Sequence, residues 1–210
     1  MSRLTRRALL PSSMAAALIG SRDVRAQPGG DIGQPLIALY SGLESAMRAG
    51  HSVSFVQRFD ALAPLVDRAF DLGIVLRVSV GMRWDAMDPE VQARLLKAFR
   101  RFTVATYVAN FDKYDGERFQ VLPGSRVSGA DRIVRTEIIS GNGDRMRLDY
   151  LMRDDGGAWR IVDVLLDGSI SRVAVQRSDF RKILAGGDAD ALIASLHRKI
   201  ADLSEGALSS

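Results

Sequence analysis

The chain has no cysteine and only two histidines among its 210 residues. Without cysteine it has no disulfide, no thiolate metal ligand and no cysteine nucleophile, so its stability must come from a hydrophobic core. His51 and His197 are far apart in the sequence and lack a patterned partner, and a zinc site would need more ligands. We therefore expect neither a bound metal ion nor a cofactor.

Motifs for catalysis are also missing. Ser169 and Ser171 do not lie in a Gly-x-Ser-x-Gly elbow, and both fit better as capping residues at the start of a helix. The glycines of Gly141-Asn-Gly143 predict a hairpin turn rather than a phosphate-binding loop. No catalytic residue is assigned, and we expect that the protein is not an enzyme.

Residues 1–26 have the pattern of a cleavable export signal. An arginine-rich start precedes a modestly apolar stretch from Ala8 to Gly20, and Val24-Arg-Ala26 ends in a small residue that a signal peptidase accepts. The apolar stretch is too short to span a bilayer, so no permanent membrane insertion is expected. The pattern predicts an exported protein whose mature chain begins at or close to Gln27.

The export route has two interpretations. Arg6 and Arg7 lie in Thr5-Arg-Arg-Ala-Leu-Leu10, which looks like a twin-arginine motif. An ordinary secretory signal that happens to carry paired arginines fits the same residues equally well.

The basic excess of the full chain, a formal net charge of +4, comes from the signal. Residues 1–26 hold five of the 29 Lys and Arg and one of the 25 Asp and Glu, so the mature chain has a formal net charge of zero. Basic charge is therefore no sign of nucleic-acid binding, and no such partner is expected. Residues 27–33 are expected to be mobile, and residues 34–205 to form one domain, because no linker divides them.

The first half of the domain predicts helices. Leu36–Ala49 and Phe55–Phe70 have helical apolar spacing, and Pro64 is expected to bend or break the second of them. Asp88-Pro89-Glu90 predicts the start of a long helix that continues to about Asn110.

From Glu117 onward the apolar period changes to two, which predicts an antiparallel meander with glycine-rich turns. Further helices are expected at about Val173–Leu184 and Asp188–Leu203. The fold class is therefore α+β, with N-terminal helices, a curved sheet of about four to five strands and C-terminal helices. The predicted strands are Phe119–Leu122, Arg132–Ser140, Arg145–Arg153 and Ala158–Leu166.

A family resemblance is spread over roughly residues 34–203. The positions that carry it are Phe70-Asp71, Gly81-Met-Arg-Trp84, Phe99, Tyr107, the segment 159–171 and Arg177-Ser-Asp-Phe180. Together they resemble the MlaC or toluene-tolerance family of periplasmic lipid-binding proteins, which serve an ABC-type importer and include hopanoid-associated members. The resemblance implies a cone related to NTF2-like proteins. It also implies that Leu72–Val80 is helical, although the propensity of that segment favours a strand.

The resemblance implies a carrier that moves phospholipid, or a related lipid such as a hopanoid, between an outer-membrane lipoprotein complex and an inner-membrane ABC transporter complex. Such a protein needs no reactive group, because burying an acyl chain gains about 0.8 kcal/mol per CH₂. We expect the lipid to lie where the long helix faces the sheet. The candidate lipid-binding residues are Phe99, Phe102, Tyr107, Val108, Phe111, Met146, Leu148, Tyr150, Val164 and Leu166.

Two acids, Asp149 and Asp163, lie within predicted strands. A buried carboxylate must be paired or hydrogen-bonded to avoid a large desolvation cost. Arg177, which matches the family beyond the strand, is the expected structural partner of Asp163, and a lipid headgroup is the alternative. Trp84 and Trp159 are expected in the core rather than in a ligand wall.

Two other functions remain open. A small-molecule enzyme on an NTF2-like cone would need a polar cavity that perturbs Asp163 or Asp149. An interaction module of an envelope complex, which binds no ligand, would have its cone filled by side chains.

Overall fold

The computed structural model describes residues 31–208, so the expected export signal lies outside the described residues. Within this range, helices precede and follow an antiparallel sheet, which confirms the predicted α+β class. The helices are α1 (Gln34–Ala49), α2 (Phe55–Ala69), α3 (Leu72–Val80), α4 (Pro89–Asn110), α5 (Arg172–Gly186) and α6 (Ala189–Leu203). The strands are β1 (Arg118–Ser128), β2 (Asp131–Ile139), β3 (Arg145–Asp155), β4 (Ala158–Leu166) and β5 (Ile170–Ser171).

Two helix starts show how local sequence sets the boundaries. The Ser54 hydroxyl accepts a hydrogen bond from the Gln57 N–H at 3.2 Å, and the Gln57 side chain accepts one from the Ser54 N–H at 3.1 Å. Helix α2 therefore begins with a capping box. The Asp88 side chain makes no capping hydrogen bond, yet α4 still begins at Pro89, because the fixed φ of proline suits a first helical turn.

The segment that forms α3 is helical, as the resemblance implied, although its β-branched content favours a strand. The Asp71 carboxylate accepts a hydrogen bond from the Ile74 N–H at 2.9 Å and so satisfies the first turn. Val75 and Leu76 bury one side of the helix against the core. Tertiary burial therefore outweighs the strand propensity.

Helix α2 runs through Pro64 without interruption, so the expected break is wrong. Pro64 is exposed, whereas Leu62, Ala63 and Val66 are buried. Proline removes one backbone hydrogen bond from the helix. Burial of residues on both sides of Pro64 against one core outweighs that loss.

The strands form an antiparallel meander in the order β1-β2-β3-β4-β5. Strand β1 is longer than predicted, because Pro123 and Gly124 fall in an irregularity between Val121 and Ser125 and do not end the strand. The two-residue β5 pairs with the end of β4 and leads directly into α5.

The helices pack against one another and against the sheet. Helix α4 contacts α6 and α2, and α3 packs against α5. The elbow between α2 and α3 reaches β4, where the Asp71 N–H donates to the Ile161 carbonyl at 3.0 Å. One cluster of buried side chains joins both layers. Among residues 31–208, no helix is long and apolar enough to cross a membrane.

Arg58 on α2 is an unusual core residue. It is only 5% exposed, and its Nε and Nη1 atoms have no hydrogen-bond partner among the described residues. Its guanidinium lies 5.8 Å from the centre of the Phe55 ring. Arginine cannot shed its charge by deprotonation, so this burial carries an uncompensated desolvation cost.

Replacing Arg58 with methionine should therefore stabilise the protein. We expect Arg58→Met to raise the free energy of unfolding by about 1–2 kcal/mol, because a flexible apolar side chain fills the same volume without a charge. Urea denaturation measures the change. Arg68→Met, at an exposed position of the same helix, is the matched control and should stay within about 0.5 kcal/mol of the parent. Lower stability in Arg58→Met would contradict this account.

Candidate functional site

Strand β3 presents alternate side chains to the helices. Leu148 is registered with Leu166 of β4, and Tyr150 with Val164, so these four side chains lie on the same face of the sheet. The Tyr150 ring contacts the Tyr40 ring of α1, with centroids 6.1 Å apart. This is therefore the face that packs against the helices, and we call it the helix-facing face.

Aromatic rings form a continuous series between the helices and this face, which we call the aromatic chain. The series starts at the elbow between α2 and α3, follows α4, crosses to β1 and returns through α1 to β3. Successive ring centroids are 5.8, 6.0, 5.8, 4.8 and 6.1 Å apart, within the range of favourable aromatic pairs. Its members in order are Phe70, Tyr107, Phe111, Phe119, Tyr40 and Tyr150.

One end of the aromatic chain carries a hydrogen-bonded set of hydroxyls. The Tyr40 hydroxyl lies 2.6 Å from the Thr136 hydroxyl and 3.1 Å from the Tyr150 hydroxyl. Thr136 also donates to the Leu148 carbonyl at 2.8 Å. Burial raises the pKa of Tyr40 and of Tyr150, so both phenols remain neutral at physiological pH. These contacts tie α1 to the middle of the sheet.

Tyr107 is in a different situation. No described residue hydrogen-bonds with its hydroxyl, and the residue keeps partial exposure although it packs against the core. Burial raises the pKa of the Tyr107 phenol, and the positive charge of Arg172 acts in the opposite direction. Phe111, Val164 and Leu166 are also only partly buried. These four side chains therefore retain accessible apolar surface although they pack against the core.

Most of the candidate lipid-binding residues meet in the region of the aromatic chain and the helix-facing face. Leu148 and Tyr150 are 7% and 2% exposed and form its packed floor, and Val108 is fully buried in α4. The candidates that the structure brings together on the aromatic chain and the helix-facing face are Tyr107, Phe111, Leu148, Tyr150, Val164 and Leu166.

Two further candidates on α4, Phe99 and Phe102, lie beside other helices and are not members of the aromatic chain. Phe99 packs edge-on against Phe180 of α5, and the Lys199 ammonium of α6 lies 5.6 Å from the centre of the Phe102 ring. Helix α4 packs against α6, α2, α3 and α1, so its apolar positions serve several neighbouring helices. Met146 is 51% exposed, outside the packed part of β3.

The expected pair between Asp163 and Arg177 is not formed. The Asp163 carboxylate accepts hydrogen bonds from the Val164 N–H at 2.7 Å, the Val173 N–H at 3.1 Å and the Ser171 hydroxyl. Arg177 instead lies beside the backbone of Gly81. These three hydrogen bonds satisfy the Asp163 carboxylate without a guanidinium partner.

Asp149 is also used structurally. It is fully buried, and both of its oxygens accept from the Arg147 guanidinium, at 2.8 and 2.6 Å. Because side chains alternate along β3, Asp149 points away from the helix-facing face. Neither acid therefore lines the region around the aromatic chain.

The remaining polar candidates have ordinary environments. Ser171 caps α5 by accepting from the Ala174 N–H at 2.9 Å. His51 is exposed and lies 3.6 Å from Asp112. Trp84 and Trp159 are partly buried against the core. Over residues 31–208, no group of acids and histidines is arranged to hold a metal ion.

Several members of the aromatic chain were not expected from the sequence. Phe70 and Phe119 lie outside the long helix and the two strands from which the candidate residues were taken. Tyr40 lies on the apolar side of α1 with Leu36 and Leu43. The alternation along β1 and the helical spacing along α1 are the signals that could have pointed to them.

Comparison with known proteins identifies the family of this chain. The family model described as "MlaC protein" matches residues 44–198, which extend from α1 into α6. The chain belongs to the MlaC family. This confirms the resemblance seen in the sequence.

A solved structure with the same fold supports the assignment. The chain is similar to the phospholipid-binding protein from Ralstonia solanacearum, whose structure was determined in complex with a phospholipid. The TM-score is 0.70 at 17% sequence identity, over 83% of this MlaC-family chain and 99% of the other chain. At that identity the similarity shows a shared fold. A comparison with curated proteins found no match.

Proposed function

We propose that the protein is a periplasmic lipid carrier that holds the acyl chains of a phospholipid, or of a related lipid such as a hopanoid, between α4 and the helix-facing face. The observation that carries the proposal is the accessible apolar surface that Tyr107, Phe111, Val164 and Leu166 retain. Membership of the MlaC family, and a fold shared with a protein solved with a phospholipid, support it.

The energetics fit a passive carrier. Each CH₂ taken from water gains about 0.8 kcal/mol, so ten methylenes offset about 8 kcal/mol of the cost of keeping the fold open. The region needs shape and apolar surface and no reactive group. The carrier exchanges its lipid with an outer-membrane lipoprotein complex and an inner-membrane ABC transporter complex, and their relative affinities set the direction.

Bound lipid is the decisive observable. We expect native mass spectrometry of protein purified from its own host envelope to show a folded complex heavier than the chain by the mass of a membrane lipid. Solvent extraction then identifies the lipid class. The same protein unfolded and refolded without lipid is the control and should lose the added mass. A folded envelope protein that never carries lipid would support an interaction module instead.

Export follows from the same proposal. We expect protein recovered from the envelope to begin at Gln27, because Val24-Arg-Ala26 provides a signal-peptidase end. N-terminal sequencing measures this, and an intact Met1 would contradict export. Replacement of Arg6 and Arg7 by lysine separates the routes, because only twin-arginine export depends on the arginine pair.

A further inference from the structure

A cleft of about 410 Å³ lies at the elbow between α2 and α3, where α4 and the β3–β4 hairpin approach it. We call it the elbow cleft. Its volume is within the range of small-molecule sites. Its lining mixes an aromatic ring with charges of both signs: Phe70, Asp67, Asp71, Arg100, Asp155 and Arg160.

The first pair of charges in the elbow cleft is already satisfied. Both oxygens of Asp67 accept from the Arg100 guanidinium, whose Nε lies 2.6 Å from Oδ1. This bidentate contact neutralises both groups and fixes one wall. Because the two charges compensate each other, Asp67 and Arg100 as a pair do not attract a charged ligand.

The guanidinium of Arg160 has donors without a hydrogen-bond partner among the described residues. One terminal nitrogen donates to the Asp67 carbonyl at 3.2 Å, but the Nε atom is buried and has no hydrogen-bond partner among the described residues. The nearest carboxylate oxygen, on Asp155, is 3.6 Å from Nε, too far for a hydrogen bond. The other terminal nitrogen, Nη2, makes no hydrogen bond with a described residue and is not buried, so it is the donor that an anionic acceptor in the cleft can reach.

The two remaining acids supply the opposite charge. Asp71 uses Oδ1 to cap α3, accepting from the Ile74 N–H at 2.9 Å. The Asp155 side chain is 65% exposed and makes only the long contact with Arg160. These carboxylates can accept hydrogen bonds from an ammonium group beside the anion that Arg160 binds.

We infer that the elbow cleft binds a phosphate–ammonium zwitterion, the chemistry of a phosphoethanolamine group. The phosphate accepts from Arg160, and the ammonium donates to Asp155 and Asp71. A headgroup with a phosphate and no cation would bring further negative charge beside the carboxylates of Asp71 and Asp155. A lone cation would leave the Arg160 Nη2 donor without an acceptor.

The cleft adjoins the proposed acyl region. Phe70 lines the cleft, and its ring centroid is 5.8 Å from that of Tyr107 on the aromatic chain. A lipid with its headgroup in the cleft can therefore direct its acyl chains along the aromatic chain. This version of the inference rests on the proposed carrier function. The same group in a soluble compound could bind the cleft without it.

Soluble headgroup compounds test the cleft alone. We expect glycerophosphoethanolamine, added to ¹⁵N-labelled protein, to shift the backbone NMR signals of Asp71, Asp155 and Arg160, and glycerophosphoglycerol to shift them far less. Glycerophosphocholine, whose quaternary ammonium has no N–H, is the matched compound and should bind more weakly. Equal shifts from all three compounds would overturn the inference.

Lipid competition tests the headgroup version. The protein is exchanged against vesicles of equal phosphatidylethanolamine and phosphatidylglycerol, and bound lipid is quantified by mass spectrometry. We expect a preference for phosphatidylethanolamine that falls on the order of tenfold in Asp155→Asn, because this variant loses the charge-assisted hydrogen bond from the ammonium. Arg160→Gln removes a contact with the phosphate that both lipids share, so it should weaken binding of the soluble compounds and leave the lipid ratio nearly unchanged. Total lipid per protein should not change. Arg145→Gln, at an exposed position of β3, is the control.

The outcomes separate the two ideas. If the parent protein holds no lipid, the carrier function fails, and the soluble compounds still decide the cleft. If it holds lipid with the same headgroup ratio in every variant, and no soluble compound binds, the cleft inference fails while the carrier stands. Soluble binding with an unchanged lipid ratio would assign the cleft to a free zwitterion and overturn the headgroup version. Asp155→Asn changes only an exposed side chain, so misfolding of Arg160→Gln would not remove the test.

Discussion

Asp163→Ala should lower the free energy of unfolding by about 3 kcal/mol, because it removes the acceptor that joins β4 to the start of α5. The carboxylate binds the N–H groups of Val164 and Val173 and the Ser171 hydroxyl. Without it, donors in a partly buried corner are left without partners. Urea denaturation followed by circular dichroism measures the loss.

Arg177→Ala is the matched control for that prediction. Arg177 is exposed and makes no ion pair with Asp163, so its removal should cost less than about 1 kcal/mol. The double variant should be additive within about 0.5 kcal/mol, as expected for residues that do not interact. A coupling energy well above that limit would mean that the two side chains are partners after all.

Tyr107→Glu should reduce retained lipid on the order of tenfold while the protein stays folded, because a carboxylate in the acyl region must lose its hydration when lipid binds. Leu166→Glu should behave in the same way, since Leu166 is also only partly buried. Leu148→Glu should instead unfold the protein, because Leu148 is 7% exposed and part of the packed floor. Lipid per protein and the thermal midpoint are measured for each variant.

Phe102→Glu is the matched control for lipid retention. Phe102 is an aromatic residue of the same helix and is also partly buried, but its ring lies beside Lys199 of α6 and is not part of the aromatic chain. Its replacement should leave bound lipid unchanged. If Tyr107→Glu and Leu166→Glu both collapse, with no folded lipid-free form, these side chains fill the core and the acyl region lies elsewhere.

The secondary structure follows largely from local signals. The alternation along β3 and β4 and the start at Pro89 could be predicted, because period and capping act within a few residues. Pro64 and the segment of α3 show the limit of such signals. In both cases burial against the core outweighs a local preference that points the other way.

The candidate site could be predicted only in part. Tyr107 lies in the predicted long helix and Leu166 in a predicted apolar strand, and both pack against the same core. Phe99 lies on the same long helix but packs against Phe180. Helical spacing identifies apolar positions, and it contains no information about which neighbouring element covers each of them.

By itself, the sequence determined that this is an α+β protein of the MlaC family with no cysteine chemistry, because composition, period and family positions are properties of the chain alone. Only the tertiary structure decided that Asp163 binds the start of α5, that rings from two helices, two strands and their connections form one aromatic chain, and that Arg160, beside the elbow cleft, keeps a donor without a partner among residues 31–208. Each of these depends on groups that are distant in sequence. Their meeting is set by how the helices pack on the sheet, which local propensity does not encode.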